Sequence, residues 1–313
     1  MILDYFLSLD PMAFFRAMPG TAAQGLIWGI MALGVYITFR ILDFPDLTVD
    51  GSFPLGGAVT ALLITKGINP YLSLLAAFLA GALAGVCTGL IHVKGKVRDL
   101  LSGIIMMTAL WTINLYIAGT SNIPLFSQDS IFKNDWIQGI MPEALQSYIT
   151  LILALVLAAI SKILLDLYLK TKSGYLLRAV GDNDVLVTSL AKDQGNVKIV
   201  GLAIANGLVA LAGSAFCQEE RVFEISMGTG AIVIGLASVI IGTSIFKKLT
   251  VMKATTAVLI GSVIYKACVA VAIRNFEPQA MKLITAVLFL VILIISMERR
   301  KKVKPDAGTQ RHS

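Results

Sequence analysis

The sequence predicts an all-α polytopic membrane protein with about eight or nine transmembrane helices, one interrupted or re-entrant segment, and two halves related as inverted repeats. Three observations predict it. The 313 residues are 57% apolar and 14% charged, with mean hydropathy +0.81, whereas a soluble domain carries about 25% charged residues. The apolar residues fall into runs of about 20, the length that crosses roughly 30 Å of hydrocarbon as a helix. The charges gather between those runs. A chain so poor in charge cannot cover its surface in water, which excludes soluble enzyme, nucleic-acid binder and disordered chain as readings of the whole.

Residues 1–20 carry Asp4 and Asp10 and lack the basic start of a signal peptide, so they read as an interfacial segment anchored by Phe6, Phe14 and Phe15. Runs long enough to span lie at 21–42, 71–92, 99–119, 145–169, 197–217, 226–246, 251–273 and 280–297. Together 21–297 form the transmembrane domain, and 298–313 form a basic tail.

One run does not fit. Phe53 to Thr65 is about 13 residues, or roughly 20 Å as a helix, too short to cross alone. The stretch before it, Asp43-Phe-Pro-Asp-Leu-Thr-Val-Asp-Gly-Ser52, places three carboxylates and a proline between two apolar runs. If the short helix starts inside the membrane, part of this stretch lies at membrane depth, where irregular backbone survives only when buried in protein or lining a watery cavity. Carboxylates there are costly enough to be functional candidates. Asp46, Thr48, Asp50, Gly51, Ser52 and Phe53 are therefore candidates for a solute path, and Thr48, Asp50, Gly51 and Ser52 also suit the cap of a helix beginning at Phe53. The plainer alternative is an ordinary cytoplasmic loop. Asn114, on a span with Thr108 and Trp111, is a second path candidate whose alternative role is an interhelical hydrogen bond.

A related pattern recurs at Glu224-Ile-Ser-Met-Gly-Thr-Gly230. It follows a span of opposite direction, so the two breaks would be related by inversion, which marks Gly228, Thr229 and Gly230 as candidates. Glycines in a membrane span also serve close helix packing.

Lys and Arg beside span ends favour the cytoplasm. The clusters at Lys94, Lys96 and Arg98, at Lys170, Lys172, Arg178 and Lys192, at Lys247 and Lys248, and in the tail from Arg299 to Lys304 fall on one side. The acidic connections 120–144, 218–225 and 274–279 fall on the other. The two sets alternate from residue 92 onward and predict a cytoplasmic C-terminus. They also account for the net charge of +7 as topology signal and headgroup contact, with no nucleic-acid groove.

The connection 170–196 is too long for a tight turn and has a helical period of its own. Asp182 or Asn183 can cap a short helix with Val185, Leu186, Ser189 and Leu190 along one side, and Gly195 can stop it. Such a helix either lies on lipid or docks in a partner's groove. The chain has no GxxxxGK[ST] phosphate loop, so ATP-driven work falls to another polypeptide. Cys87, Cys217 and Cys268 sit in apolar runs as small hydrophobes. The two histidines lie far from any carboxylate cluster, so no metal site and no catalytic group is expected.

The residues Arg178-Ala-Val-Gly-Asp-Asn, Leu190-Ala191, Gly195 and Met227-Gly-Thr-Gly-Ala-Ile-Val-Ile-Gly-Leu-Ala resemble the permeases of ATP-binding cassette (ABC) importers for branched-chain amino acids, ribose and related solutes. Gly29 to Ser52, Leu101 to Leu115 and Ser121-Asn-Ile-Pro-Leu are similar to a subgroup associated with tryptophan or tyrosine uptake. The resemblance covers about 21–297. It implies a permease, homodimeric or pseudo-dimeric, in the bacterial inner membrane. It also implies two cytoplasmic ATPase subunits that bind the ATP and Mg, no cofactor in this chain, and an extracytoplasmic solute-binding protein. Segment 182–195 would be the coupling helix, with Arg178, Gly181, Asp182, Asn183, Leu186, Leu190, Ala191 and Gly195 at the ATPase contact, and 43–53 would line the path. The rival readings are a proton-coupled secondary transporter that needs no ATPase and, less well supported, a membrane-embedded enzyme.

Overall fold

The computed structural model describes residues 11–134, 146, 148–182, 194–246, 252–275, 283, 285–287 and 289–294. Residues 1–10 of the expected interfacial segment, the tail 298–313, and Asn183, Leu186, Leu190 and Ala191 of the expected coupling helix lie outside them.

The described chain is helical apart from two short strands. Helix α1 (Pro11–Val35) runs on through a π-helical turn, Tyr36–Ile41. Residues 11–20 are thus the start of α1, and the expected boundary at 20 falls inside a continuous helix that tolerates Pro19. There follow α2 (Val49–Thr65), α3 (Pro70–Val93), α4 (Asp99–Ala118), β1 (Asn122–Pro124), α5 (Ile149–Tyr168), α6 (Lys172–Asp182), α7 (Gln194–Glu220), β2 (Val222–Glu224), a 3₁₀ turn at Ile225–Gly228, α8 (Ala231–Ile245) and α9 (Ala254–Asn275).

Among the described residues, seven stretches are long and apolar enough to cross a membrane: Met18–Ile41, Pro70–Val93, Asp99–Ala118, Ile149–Tyr168, Gln194–Glu220, Ile225–Ile245 and Ala254–Ala272. They match seven of the eight expected spans. The eighth, 280–297, is represented by a shorter apolar helix, Thr285–Ile294, and its ends lie outside the described residues.

Two expectations of local structure are corrected. The short helix begins at Val49, not Phe53, because Gly51 N–H and Ser52 N–H both donate to Thr48 O at 2.9 and 2.8 Å and start the helical ladder four residues early. At 17 residues it is about 26 Å long, still short of a full crossing. Thr48 is its N-cap by position, but its hydroxyl does not cap. In the 170–196 connection a helix that the sequence did not announce, α6, precedes Asn183, and Gly195 lies within α7 as described from Gln194; residues 183–193, where the expected short helix falls, lie outside the described residues.

Helix α7 is the hub, packed on α3, α2 and α1, while α9 packs on α8 and α1. Intimate packing with α3 follows from Gly81-Ala-Leu-Ala-Gly85-Val-Cys-Thr-Gly89. A methyl at Gly85 would overlap the Leu202 carbonyl, and one at Gly81 would overlap the Asn206 carbonyl. Small residues at four-residue spacing let two backbones touch where lipid supplies no hydrophobic drive.

Two connections expected on the same face meet. β1 pairs antiparallel with β2, Ile123 opposite Phe223, and Arg221 Nη2 donates to the carbonyls of Phe126 and Gln128 at 2.6 and 2.8 Å. This joins 120–134 to 218–225. At the other end Asp166 Oδ2 accepts from Lys162 and Lys253, both at 3.1 Å, and its Oδ1 accepts from Thr255 at 2.7 Å, tying the end of α5 to the start of α9.

Candidate functional site

The break between α1 and α2 spans residues 42–48. Asp43 turns the chain at a positive φ of 51° and is exposed; Phe44 and Asp46 then point inward and are buried. Asp46 Oδ1 accepts from Thr48 N–H at 2.9 Å, closing a tight turn in front of α2. Its Oδ2 accepts from Asn206 Nδ2 at 2.7 Å. Asn206 is twelve residues from the start of α7 at Gln194 and fourteen from its end at Glu220, so the break is anchored to the middle of a helix about 40 Å long.

The asparagine is fully used. Nδ2 also donates to Leu202 O at 3.1 Å, and Oδ1 accepts from Ser52 Oγ at 2.7 Å. Beside it Thr88 Oγ1 donates to Ala84 O and so accepts from Thr48 Oγ1 at 2.9 Å. Asp46, Thr48, Ser52, Thr88 and Asn206 form one satisfied network that pins the break to α3 and α7. Each of these five is at most 1% exposed. A buried network of this kind rigidifies its surroundings because each unpaired member would be costly.

Asp50 faces the other way. It accepts from Gly230 N–H at 3.1 Å and Ile232 N–H at 2.8 Å, which makes it the N-terminal cap of α8, supplied from α2. Gly230 turns the chain into α8 with φ +80°, a conformation that favours glycine. Gly228 packs without a Cβ against the Asp50 carbonyl and Pro54. Asn114 Nδ2 donates to Gly51 O at 3.1 Å and binds α4 to α2. Asn114 Oδ1 is buried with no hydrogen-bond partner among the described residues.

Between these elements lies a cavity of about 270 Å³ lined by Asp50, Gly51, Pro54, Met107, Thr108, Trp111, Asn114 and Thr229. Four path candidates, Asp50, Gly51, Asn114 and Thr229, therefore come together around one space from three separate segments. Asp46, Thr48 and Ser52 stand behind it in the polar network. Phe53 is fully buried in the core, stacked on Trp28 at 4.8 Å between centroids and tilted against Phe216 at 5.7 Å.

Of the coupling residues, Arg178 is exposed on α6, and Gly181 fits against the Ile41 carbonyl at the end of the π-helical turn. Leu177 and Val180 bury the inner face of α6. Asp182 is the last residue of α6.

Sequence reasoning missed Asn206, Thr88 and a second polar cluster. Lys266 of α9 lies 4.3 Å from the centroid of the Trp28 ring, and Gln24 Nε2 donates to Glu219 Oε2 and Glu220 Oε1 at 3.4 and 2.8 Å. The available signal was a polar or charged residue inside an apolar run, the same one that singled out Asn114.

Residues 18–297 match the family model described as "Branched-chain amino acid transport system / permease component". The chain is 46% identical over 271 residues, 86% of its length, to a tyrosine transport system permease protein of Clostridioides difficile, covering 88% of that protein. It is 24% identical over 219 residues to the ribose import permease protein RbsC of Escherichia coli, covering 70% of this chain and 66% of the relative. It is 28% identical over 199 residues, 61% of this chain and 62% of the relative, to a probable branched-chain amino acid transport permease protein, LivH, of Methanocaldococcus jannaschii.

Proposed function

From the premise that this chain belongs to the family of branched-chain amino acid transport system permease components, we propose that it carries an aromatic amino acid, tyrosine foremost, through a path at the break between α1 and α2. The chain is a multi-pass ABC importer permease and not itself a catalyst; permeases of this family bind no cofactor. The solute follows from the tyrosine transport permease to which nearly the whole chain is similar.

The observation that carries the path is the cavity uniting Asp50, Asn114 and Thr229. Irregular backbone reaches the middle of α7 through the Asp46–Asn206 bond, which supports an interrupted segment at membrane depth, and the Thr229–Gly230 turn facing Asp50 supports its inverted counterpart in the second half.

The mechanism is alternating access. ATP and Mg bind to a pair of cytoplasmic ATPase subunits, and their closure moves the 182–195 segments of two permease copies. The copies then rock about the path, which receives solute from an extracytoplasmic binding protein. Pairing of 120–134 with 218–225 at one end, and of Asp166 with Lys253 at the other, supports the alternation of basic and acidic connections and a cytoplasmic C-terminus in the inner membrane.

The test is uptake by the chain reconstituted with its ATPase and binding protein. ATP-dependent tyrosine uptake that survives an uncoupler is expected. Uptake that needs no ATP and collapses with an uncoupler would replace this reading with proton-coupled transport.

A further inference from the structure

The geometry points to recognition of the solute's ammonium group, with its aromatic ring against Trp111, in the cavity between α2 and α4. This rests on the path proposed above and names what the path reads. Three features carry it. The polar groups of the lining side chains are one carboxylate, Asp50, the Asn114 amide, the hydroxyls of Thr108 and Thr229, and the Trp111 indole N–H. Among the described residues the lining holds no Lys, Arg or His, so its one charged side chain is the Asp50 carboxylate and no cation there pairs with a ligand carboxylate.

The second feature is the unpartnered Asn114 oxygen. Asn114 is a fully buried residue of the cavity lining, one of its amide N–H groups donates to Gly51 O, and its oxygen has no donor to meet it among the described residues. A buried acceptor without a donor costs about 1–3 kcal/mol, and a ligand N–H would relieve that cost. Asp50 spends one lone pair of each oxygen on α8 and keeps two for a ligand, since an ionised carboxylate has about four acceptor sites. A primary ammonium, with three donors and no acceptor, is the group that satisfies Asp50 and Asn114 together.

The third feature is shape. About 270 Å³ is roughly nine water volumes of liquid, room for a small amine. Trp111, 46% exposed, is part of the same lining, and an aromatic ring stacks on an indole with its centroid about 4.5–7 Å away.

Thr108→Cys places a thiol on the exposed part of the lining, in a permease–ATPase complex whose native cysteines are replaced (Cys87→Ser, Cys217→Ala, Cys268→Ser). Its reaction with a maleimide is followed with tyramine, which keeps the ammonium and ring, or with 3-(4-hydroxyphenyl)propionate, which keeps the ring and carboxylate. Tyramine is expected to slow labelling severalfold and the propionate to leave it unchanged, with protection lost in a Trp111→Ala background. Equal protection by both compounds, or by neither, overturns the inference. Tyrosine uptake by the wild-type assembly separates the two levels: uptake without tyramine protection leaves the permease reading standing and this one fallen, and absence of uptake removes the tyrosine assignment.

Discussion

Asn206 Nδ2 stands 2.7 Å from Asp46 Oδ2, joining an irregular segment to the middle of a membrane-length helix 160 positions away in sequence. Removing the amide strips partners from both Asp46 and Ser52 at once. Asn206→Leu is expected to destabilise the protein by about 2–3 kcal/mol through the buried acceptor and hydroxyl left unpaired. Adding Asp46→Leu should recover part of that loss, because the stranded carboxylate is gone. Thermal unfolding of the two single variants and the double variant in detergent reads the coupling, and strict additivity would deny the network.

Gly85 leaves no room for a side chain against the Leu202 carbonyl. Gly85→Leu is expected to separate α3 from α7 at a cost of about 1–3 kcal/mol or more, seen as a lower melting temperature and less monodisperse protein in size-exclusion chromatography. Gly67 has open space around the position of a Cβ but a φ of +75°, so Gly67→Asn, which tolerates that backbone, should change little.

Trp28 is sandwiched between Lys266 and the Phe53–Phe216 pair. Trp28→Leu gives up a cation–π contact of about 2 kcal/mol in desolvated surroundings, together with aromatic packing. Stability should fall by at least that much, and Lys266→Met in the Trp28→Leu background should cost less than it does alone.

The spans were legible because bilayer thickness imposes a length and an apolar composition that any 20-residue window reveals. The Asp43–Ser52 break was legible for the same reason in reverse, as charge where apolar residues were due. Its partners were not. Asn206 and Thr88 are distant in sequence, and only packing of α7 on α3 and α2 brings them to Asp46. The start of α2 was read four residues late because the apolar run begins only at Phe53, behind polar residues suited to a cap, whereas the helical ladder already begins at Val49 and takes Pro54 inside it, beside the Cβ-free Gly228. Helix α6 was overlooked because its buried face is narrow: Gly174, Leu177 and Val180.

Accessibility of the path is testable at Thr229, which is exposed on the cavity. Thr229→Cys, with the native cysteines replaced, should react with a membrane-impermeant thiol reagent at rates that differ by about tenfold between nucleotide-free and ATP-trapped complexes, the size expected when a minor state becomes the major one. Identical rates in every nucleotide state would remove this position from an alternating path.

For coupling, Asp182→Ala with Leu190→Ala should lower solute-stimulated ATPase activity by about tenfold, equivalent to about 1.4 kcal/mol of docking energy, and weaken co-purification of the ATPase. Unchanged turnover and co-purification would assign the contact elsewhere.

Asp50 belongs to α2 by sequence and to α8 by its hydrogen bonds. The two helices are therefore splinted: one cannot slide along the other without exposing two backbone donors and a carboxylate together. That makes α2 and α8 the frame of the cavity. Helix α4 is joined to this frame by the Asn114–Gly51 bond. On the proposed reading, a solute that engages Asn114 Oδ1 therefore loads the same side chain that ties α4 to α2, so occupancy of the cavity and the seating of α4 are linked through one residue.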